Sequence, residues 1–270
     1  MRWNLTGDPC TGAAVDSTDI NDGNYNPAIK CDCNFPNFTC HVTALNLGQN
    51  YLTGPLSPSI GNLIRMKYLT VSFNALSGQV PAEIGQLTDL RLLAFGTNNF
   101  DGSLPSELGN LRRLEHLYFG SSGVGGYIPS TFANLQNLQR VQEILYLMIG
   151  ASDNEFKGRI PDFIGKWSQL QSLNLQGNSF EGSIPPSFSR LTSLERLRIS
   201  GLSNGTLHFI KDLKSLRILF LRSNRLSGSI PNEIGEFTNL TQLSLGNNSL
   251  TGTLPTGTLP KAMNTTLSYM

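Results

Sequence analysis

The sequence predicts an α/β solenoid, a curved right-handed array with a parallel β-sheet on its concave face and an irregular or 3-10 convex side. The pattern LxxLxLxxNxLxGxIP recurs along the 270 residues, most regularly at 66–90, and Asn50, Asn74 and Asn98 are 24 residues apart. A fixed period of this length indicates stacked repeats that each contact their neighbours. Because the apolar residues of LxxLxL alternate, each repeat is expected to add one strand to the sheet.

Residues 1–41 lack this pattern and hold all four cysteines, Cys10, Cys31, Cys33 and Cys40. They are expected to form a loop-rich, disulfide-stapled cap that covers the apolar end of the first repeat. Four cysteines allow three connectivities, which spacing does not separate. A metal site on Cys31 and Cys33 is the less favoured alternative, since their spacing is wrong for a zinc knuckle.

Residues 42–255 divide into nine repeats of about 24 residues, and two of them depart from the period. Repeat five begins at Leu138 but reaches its ladder asparagine at Asn154, so eight extra residues fall near 142–149. They form either a functional loop or a splicing error in the gene model, and the error is favoured. Repeat seven, at 194–215, has 22 residues, carries Leu202 in place of Asn and lacks GxIP. Residues 256–270 are expected to form an irregular, uncapped tail.

Charge and composition indicate an extracellular protein. Lys plus Arg number 20 and Asp plus Glu number 19, so the net charge of +1 gives no basis for binding nucleic acid or a membrane surface. An even, clustered set of cysteines favours an oxidising compartment. Six N-x-S/T acceptor sites favour a glycoprotein, and they begin at Asn4, Asn37, Asn204, Asn239, Asn247 and Asn264.

Segments for secretion and anchoring are expected to lie outside this chain. No apolar signal segment follows Met1, and no apolar run approaches the roughly 20 residues of a membrane helix. The chain is therefore interpreted as an ectodomain fragment or as a gene product missing its ends, with the membrane reached only through absent C-terminal parts.

The stretches LTGPLSPSIGNL, LSGQVPAEIGQL and LSGSIPNEIGEF, with the asparagine ladder, resemble the extracellular leucine-rich repeats of plant receptor-like kinases. More narrowly, WNLTGDPCTGAAVD, IKCDCNFPNFTCHVTALNL, ASDNEFKGRIPDFIG and LERLRISGLSNG are similar to a subfamily that adds a malectin-like domain, a membrane helix and a cytosolic Ser/Thr kinase. None of those three parts is present here. The resemblance also implies a C-x6-C staple between Cys33 and Cys40, which leaves Cys10 to pair with Cys31.

Catalysis finds no support in the pattern. His41, His116 and His208 fall in different repeats, and no nucleophile with an orienting partner or metal-ligand set is visible. The chain is therefore expected to have no enzymatic activity, cofactor or metal of its own.

Binding on the concave face is better supported, because the outward positions can be read from the repeat. Exposed aromatic residues and arginines are the types that anchor interfaces. The predicted ligand-binding residues are Tyr68, Phe73, His116, Tyr118, Arg196, Arg198, Arg217, Phe220 and Arg222.

The strongest candidate is an anion pocket in repeats seven and eight. Residues 194–223 contain six Lys or Arg and two Asp or Glu. Arg196 and Arg198 match the Arg-x-Arg position with which some related plant peptide receptors hold a ligand's terminal carboxylate. The alternative, which is somewhat favoured, is that these arginines keep the sheet soluble or form ion pairs with Glu195 and Asp212.

Three functions remain open on these grounds. The leading one is a ligand-sensing ectodomain that binds a peptide, a cell-wall oligosaccharide or a co-receptor. The second is a secreted inhibitor of microbial cell-wall hydrolases, and the third is a truncated product without independent function.

Overall fold

The computed structural model describes residues 8–141 and 154–252 as a stack of short strands and 3-10 helices. The expected insert at 142–149 and tail at 256–270 lie outside the described residues. The strands are β1 Ala28–Asp32, β2 His41–Asn46, β3 Thr53–Pro55, β4 Tyr68–Thr70, β5 Ala75–Gln79, β6 Leu92–Ala94, β7 Asn99–Asp101, β8 His116–Tyr118, β9 Gly125–Gly126, β10 Arg140–Val141, β11 Glu155–Arg159, β12 Ser172–Asn174, β13 Ser179–Glu181, β14 Arg196–Arg198, β15 Ile218–Phe220, β16 Ser227–Ser229, β17 Gln242–Ser244 and β18 Ser249–Thr251.

Every described helix is a 3-10 turn of three to five residues. They are η1 Gly12–Ala14, η2 Gly23–Tyr25, η3 Pro36–Phe38, η4 Pro58–Asn62, η5 Ala82–Gln86, η6 Ser106–Asn110, η7 Ser130–Asn134, η8 Asp162–Lys166, η9 Pro186–Arg190, η10 His208–Asp212 and η11 Asn232–Glu236.

One ten-stranded sheet, which we call the main sheet, runs the length of the described chain in the order β1-β2-β4-β6-β8-β10-β12-β14-β15-β17. From β2 onward every pair is parallel and in register. The central residue of each three-residue strand of this sheet, such as Leu69, Leu93 or Leu197, is buried. Its two neighbours in the strand therefore face outward, on the concave face.

The 3-10 helices from η4 onward lie on the opposite side of the core and stack on one another. In η5, Pro81 precedes the helix, Ile84 is buried, and the N–H of Leu87 closes the turn on the Ile84 carbonyl. A Cβ on Gly85 would collide with the backbone carbonyl of Glu107 in η6. The glycine of the IGxL motif is thus required because adjacent helices approach closely.

A second set of strands, on the return from the main sheet, was not expected from the sequence. It forms the sheets β3-β5-β7, β9-β11-β13 and β16-β18 at the LxGxI part of the repeats. Repeat seven has no such strand in the described part of the chain, so this side sheet is interrupted between β13 and β16. The missing GxIP motif of that repeat explains the interruption.

The cap contains a five-residue β-strand, β1, in addition to the expected loops. β1 pairs antiparallel with β2 and so covers the first edge of the main sheet. Disulfides join Cys10 to Cys31 and Cys33 to Cys40, the pairing that the resemblance implies. With all four cysteines paired, the metal site considered on Cys31 and Cys33 is not formed.

The asparagines of the repeat form a ladder along the core. Asn98 Oδ1 accepts from the N–H of Leu76 in the preceding repeat, and its Nδ2 donates to the carbonyls of Val71 and Phe95. Although repeat five is longer, Asn154 occupies the ladder position, as shown by the hydrogen bond from its Nδ2 to the Phe119 carbonyl. The strands on either side of the extra residues therefore keep the common register.

Candidate functional site

The concave face presents two rows of outward side chains from successive parallel strands. Strand pairing fixes which residues are neighbours along each row. The first row is Ala44, Tyr68, Leu92, His116, Arg140, Ser172, Arg196, Ile218 and Gln242. The second row is Asn46, Thr70, Ala94, Tyr118, Asn174, Arg198, Phe220 and Ser244.

Arg196 and Arg198 lie on β14 with buried Leu197 between them, so both guanidinium groups arise from the same face. The guanidinium of Arg198 lies over the ring of Phe220 on β15, 4.6 Å from its centre. This cation–π contact positions the Arg198 side chain against the sheet. Both arginines are half-buried, so a ligand here would meet charges that are partly shielded from water.

The ion pairs considered with Glu195 and Asp212 do not form for Arg196 among the described residues. Within residues 8–141 and 154–252, the ion pairs involve neither Glu195 nor Asp212, and none includes Arg196. Neutralisation by a neighbouring carboxylate therefore does not account for Arg196.

Arg217 and Arg222 are placed differently from Arg196 and Arg198. Arg217 comes just before β15 and lines a shallow depression at the amino-terminal edge of the main sheet, with Glu195 and Asn239. Arg222 is exposed two residues after the same strand ends. The prediction that all four arginines share the outward positions of the sheet is therefore wrong for these two.

His116 and Tyr118 lie on β8, and their rings are nearly parallel, with centres 6.1 Å apart. Arg140 on β10 is the direct neighbour of His116. Neither Nδ1 of His116 nor Nε of Arg140 has a hydrogen-bond partner, although both atoms are shielded from solvent. Burial lowers the pKa of His116 below its usual 6.5; the charge of Arg140 lowers it further, and Glu115 opposes them.

The remaining two predicted contact residues differ in placement. Tyr68 lies in the first row, on β4, and 42% of its surface is exposed. Phe73 lies beyond the end of β4 with a left-handed backbone, φ 57°, and is half-buried. Phe73 therefore belongs to the turn after the strand and not to its outward positions.

The predicted contact set omitted two outward neighbours, Leu92 and Ile218, which occupy the first row as apolar residues. They were left out because the set selected aromatic residues and arginines instead of whole rows. Arg140, which the repeat register predicts to face outward, lies between His116 and Ser172 in the first row.

The acceptor sites for glycosylation lie on the surface where they are described. Asn37, Asn204, Asn239 and Asn247 are exposed, while Asn4 and Asn264 lie outside the described residues.

Two protein families match this chain. A leucine-rich repeat region family matches residues 38–157, and the single leucine-rich repeat family matches residues 169–191, 215–237 and 239–259. The chain is a leucine-rich-repeat solenoid.

Curated relatives of this leucine-rich-repeat chain include a probable receptor-like serine/threonine-protein kinase of Arabidopsis thaliana. It is 46% identical over 72 residues, which are 26% of this chain and 7% of the relative. A second receptor-like kinase of the same plant is 47% identical over the same length. Both relatives support the assignment of this chain to a plant receptor-like kinase. The matched stretch is thus a small part of each relative.

Solved structures extend the similarity along the chain. The plant peptide hormone receptor RGFR1, in complex with RGF2, is 34% identical with a TM-score of 0.68 over 74% of this chain and 31% of the receptor. The Arabidopsis receptor kinase HAESA, in complex with the peptide hormone IDA and the co-receptor SERK1, is 31% identical, with a TM-score of 0.70, over 76% of this chain and 34% of HAESA. These neighbours support a ligand-binding receptor ectodomain on the outer side of the plasma membrane.

In the described part of the chain, two other kinds of site find no support. None of its helices is long and apolar enough to cross a membrane. No group of three or more His, Cys, Asp or Glu side chains in it is arranged to hold a metal ion. The matched ectodomains have a non-catalytic fold, so the concave face is the candidate functional surface.

Proposed function

We propose that this solenoid is the ligand-sensing part of a plant receptor-like kinase of the malectin-containing subfamily, and that it binds a peptide through the peptide's terminal carboxylate. Arg196 and Arg198 form the carboxylate site. The observation that carries the proposal is the pair of half-buried arginines on β14, with Arg198 held over Phe220 and Arg196 outside any ion pair among the described residues.

The chemistry of the pair suits a carboxylate. A guanidinium donates two parallel hydrogen bonds to the two carboxylate oxygens, and such charge-assisted bonds are about twice as strong as neutral ones. The neighbour of Arg198 in the second row, Asn174, is half-buried and places a side-chain amide beside it. Two of the similar structures hold peptide hormones, which supports a peptide as the ligand class.

A test compares two pools of random-sequence octapeptides, one with free terminal carboxylates and one amidated, for retention on the immobilised chain. We expect the acid pool to be enriched, and R196A/R198A to reduce its retention at least tenfold, since each lost charge-assisted bond costs roughly 1.5–3 kcal/mol. R190A/R225A is the matched control, because it removes two exposed arginines that lie outside the rows. Equal retention of both pools, or full retention by R196A/R198A, would exclude the carboxylate site.

A cell-wall oligosaccharide is a second candidate, favoured by the stacked rings of His116 and Tyr118 with Tyr68 in the first row. Aromatic faces offer a platform for the C–H faces of sugar rings. Titration with oligosaccharides of cellulose and of chitin tests this. We expect Y118A to weaken binding of the oligosaccharide while R196A/R198A does not; binding unaffected by Y118A would remove the candidate.

A further inference from the structure

At repeat seven, where the side sheet is interrupted, a segment without strand pairing lies between the neighbouring repeats, and the Gly182 N–H donates to its Ser203 hydroxyl at 2.9 Å. Residues 203–206 replace the missing strand between β13 and β16. The N–H of Asn204 donates to the Gly182 carbonyl at 3.4 Å, and the N–H of Ser227 donates to the Gly205 carbonyl at 2.8 Å. Because β16 pairs with β18 on its far side, its near edge faces this segment in place of a full strand.

An open depression lies beside this segment, between repeats seven and eight. Its volume of about 870 Å³ is in the range of small-molecule sites. Pro231 gives it apolar surface, and His208, Asn232 and Glu233 give it hydrogen-bonding groups, while the Ile230 side chain is only 7% exposed and belongs to the core. A ligand with one apolar face and many hydroxyls fits this mixture.

A glycosylation acceptor lies at the rim of the depression. Asn204, Gly205 and Thr206 form the N-x-T sequence, Thr206 lines the depression, and Asn204 is exposed. Asn204 and Thr206 are two residues apart, which is at most about 7 Å of chain, so a sugar attached to Asn204 can reach the depression. The central Gly205 has φ 136°, and a Cβ there would meet Leu226 and Ser183 at 3.2–3.3 Å, so the turn that presents Asn204 requires glycine.

We propose that Asn204 carries an N-linked glycan whose first sugar rings occupy this depression and fill the place of the missing GxIP turn. The inference rests on the proposed extracellular function, because the transfer takes place in the secretory route. The donor is an oligosaccharide linked to a lipid pyrophosphate: Nδ2 of Asn204 forms a bond to C1 of the first N-acetylglucosamine and loses a proton, and the lipid pyrophosphate leaves.

The contacts that hold the glycan follow from the lining. The C–H face of a sugar ring packs on Pro231, and its hydroxyl and N-acetyl groups pair with Asn232, Glu233 and His208. The glycan then covers the near edge of β16, as a helix or loop covers an exposed sheet edge in other proteins. Because it binds the folded state, it also stabilises repeats seven and eight.

The test is secretion of the whole chain behind a leader from insect cells, followed by mapping of occupied sites and timed digestion of the native protein with an amidase that removes N-glycans. We expect the glycan at Asn204 to be released at least tenfold more slowly than the one at Asn37. We also expect N204Q to lower the Tm by about 3 °C, with little change in N37Q and none in T206S, which keeps the acceptor sequence.

The outcomes separate this inference from the proposed function. If Asn37 and Asn247 carry glycans but Asn204 is empty, or is released as fast as the others, the inference is wrong and the extracellular function stands. If the secreted chain carries no glycan at any acceptor, both fail. In protein made in bacteria, where no glycan is added, N204Q should have the same Tm as the unsubstituted chain. If N204Q lowers the Tm of the bacterial protein as much as that of the secreted protein, the effect comes from the asparagine side chain and the inference is wrong.

Discussion

The backbone N–H of Asn224 donates to the side-chain oxygen of Asn248 at 3.1 Å, and the two residues stand 24 positions apart, at equivalent places in adjacent repeats. Asn50 and Asn74 form the same bond at 3.0 Å. The side-chain amides of Asn248 and Asn74 each also donate to one carbonyl of their own repeat and to one of the preceding repeat. The ladder thus satisfies backbone groups that the turns expose inside the core, and it links neighbouring repeats directly.

Asn98→Ala should therefore destabilise the solenoid by about 2–4 kcal/mol, since it removes partners from the N–H of Leu76 and the carbonyls of Val71 and Phe95 in a buried site. Urea unfolding followed by circular dichroism measures the loss. Asn99→Ala is the control, because Asn99 is adjacent but exposed, and it should change stability by less than about 0.5 kcal/mol. Similar losses for the two variants would contradict the role of the ladder.

Trp167 forms a second direct link between neighbouring repeats. It stands where other repeats have Leu or Phe at the end of the 3-10 helix, as in Leu135 and Phe237, and it lies near the end of the 32-residue repeat five. Its indole Nε1–H donates to the Phe132 carbonyl of the preceding helix at 3.2 Å. The larger side chain thereby connects η7 and η8 across the longer repeat.

Trp167→Phe should cost about 1–2 kcal/mol, since it keeps most of the packing but removes one of the two hydrogen bonds that the Phe132 carbonyl accepts, the other coming from the Leu135 N–H. Trp167→Ala should cost about 3–5 kcal/mol, because it also opens a cavity among apolar side chains. The two unfolding free energies from urea titration check the order. An alanine variant no less stable than the phenylalanine variant would show that Trp167 does not fill this space.

The register of the sheet could be predicted because it depends on local alternation, and this register correctly placed Tyr68, His116, Tyr118, Arg196, Arg198 and Phe220 on outward positions. The misplacement of Arg217 has a physical reason: the strand is three residues long, so alternation does not extend to the residue before it. β1 and the side sheet were missed because their pairing is made with strands elsewhere in the chain, which no local pattern in 28–32 or 75–79 records.

The cap disulfides differ in the loops they close. Cys10–Cys31 closes 21 residues and Cys33–Cys40 closes seven. On the chain-entropy relation, the first contributes about 3 kcal/mol and the second about 2 kcal/mol. C10A/C31A should therefore lower the free energy of unfolding more than C33A/C40A, as measured by urea titration. A larger loss for C33A/C40A would show that contacts of the Cys33–Cys40 turn with the first repeat stabilise the fold more than the difference in loop-closure entropy does.

His116 should make the stability of the fold depend on pH. Its pKa in the folded chain lies below the usual 6.5 because burial and Arg140 disfavour the imidazolium, so the unfolded chain takes up the proton first as the pH falls. The stability that neutral His116 contributes is complete above pH 6.5 and is lost progressively from there down to the lower folded pKa. Relative to H116Q, the native chain should lose stability between pH 7.5 and 5.5, as measured by thermal unfolding.

Direct titration of His116 by NMR separates the causes of this shift. The signal is assigned by its absence in H116Q, and we expect its midpoint to lie below 6.5. R140Q should raise the midpoint, because it removes a neighbouring positive charge, and E115Q should lower it further, because it removes the opposing carboxylate. A midpoint at or above 6.5, or one that R140Q leaves unchanged, would show that solvent reaches His116 and screens Arg140, and the pH dependence would then have another source.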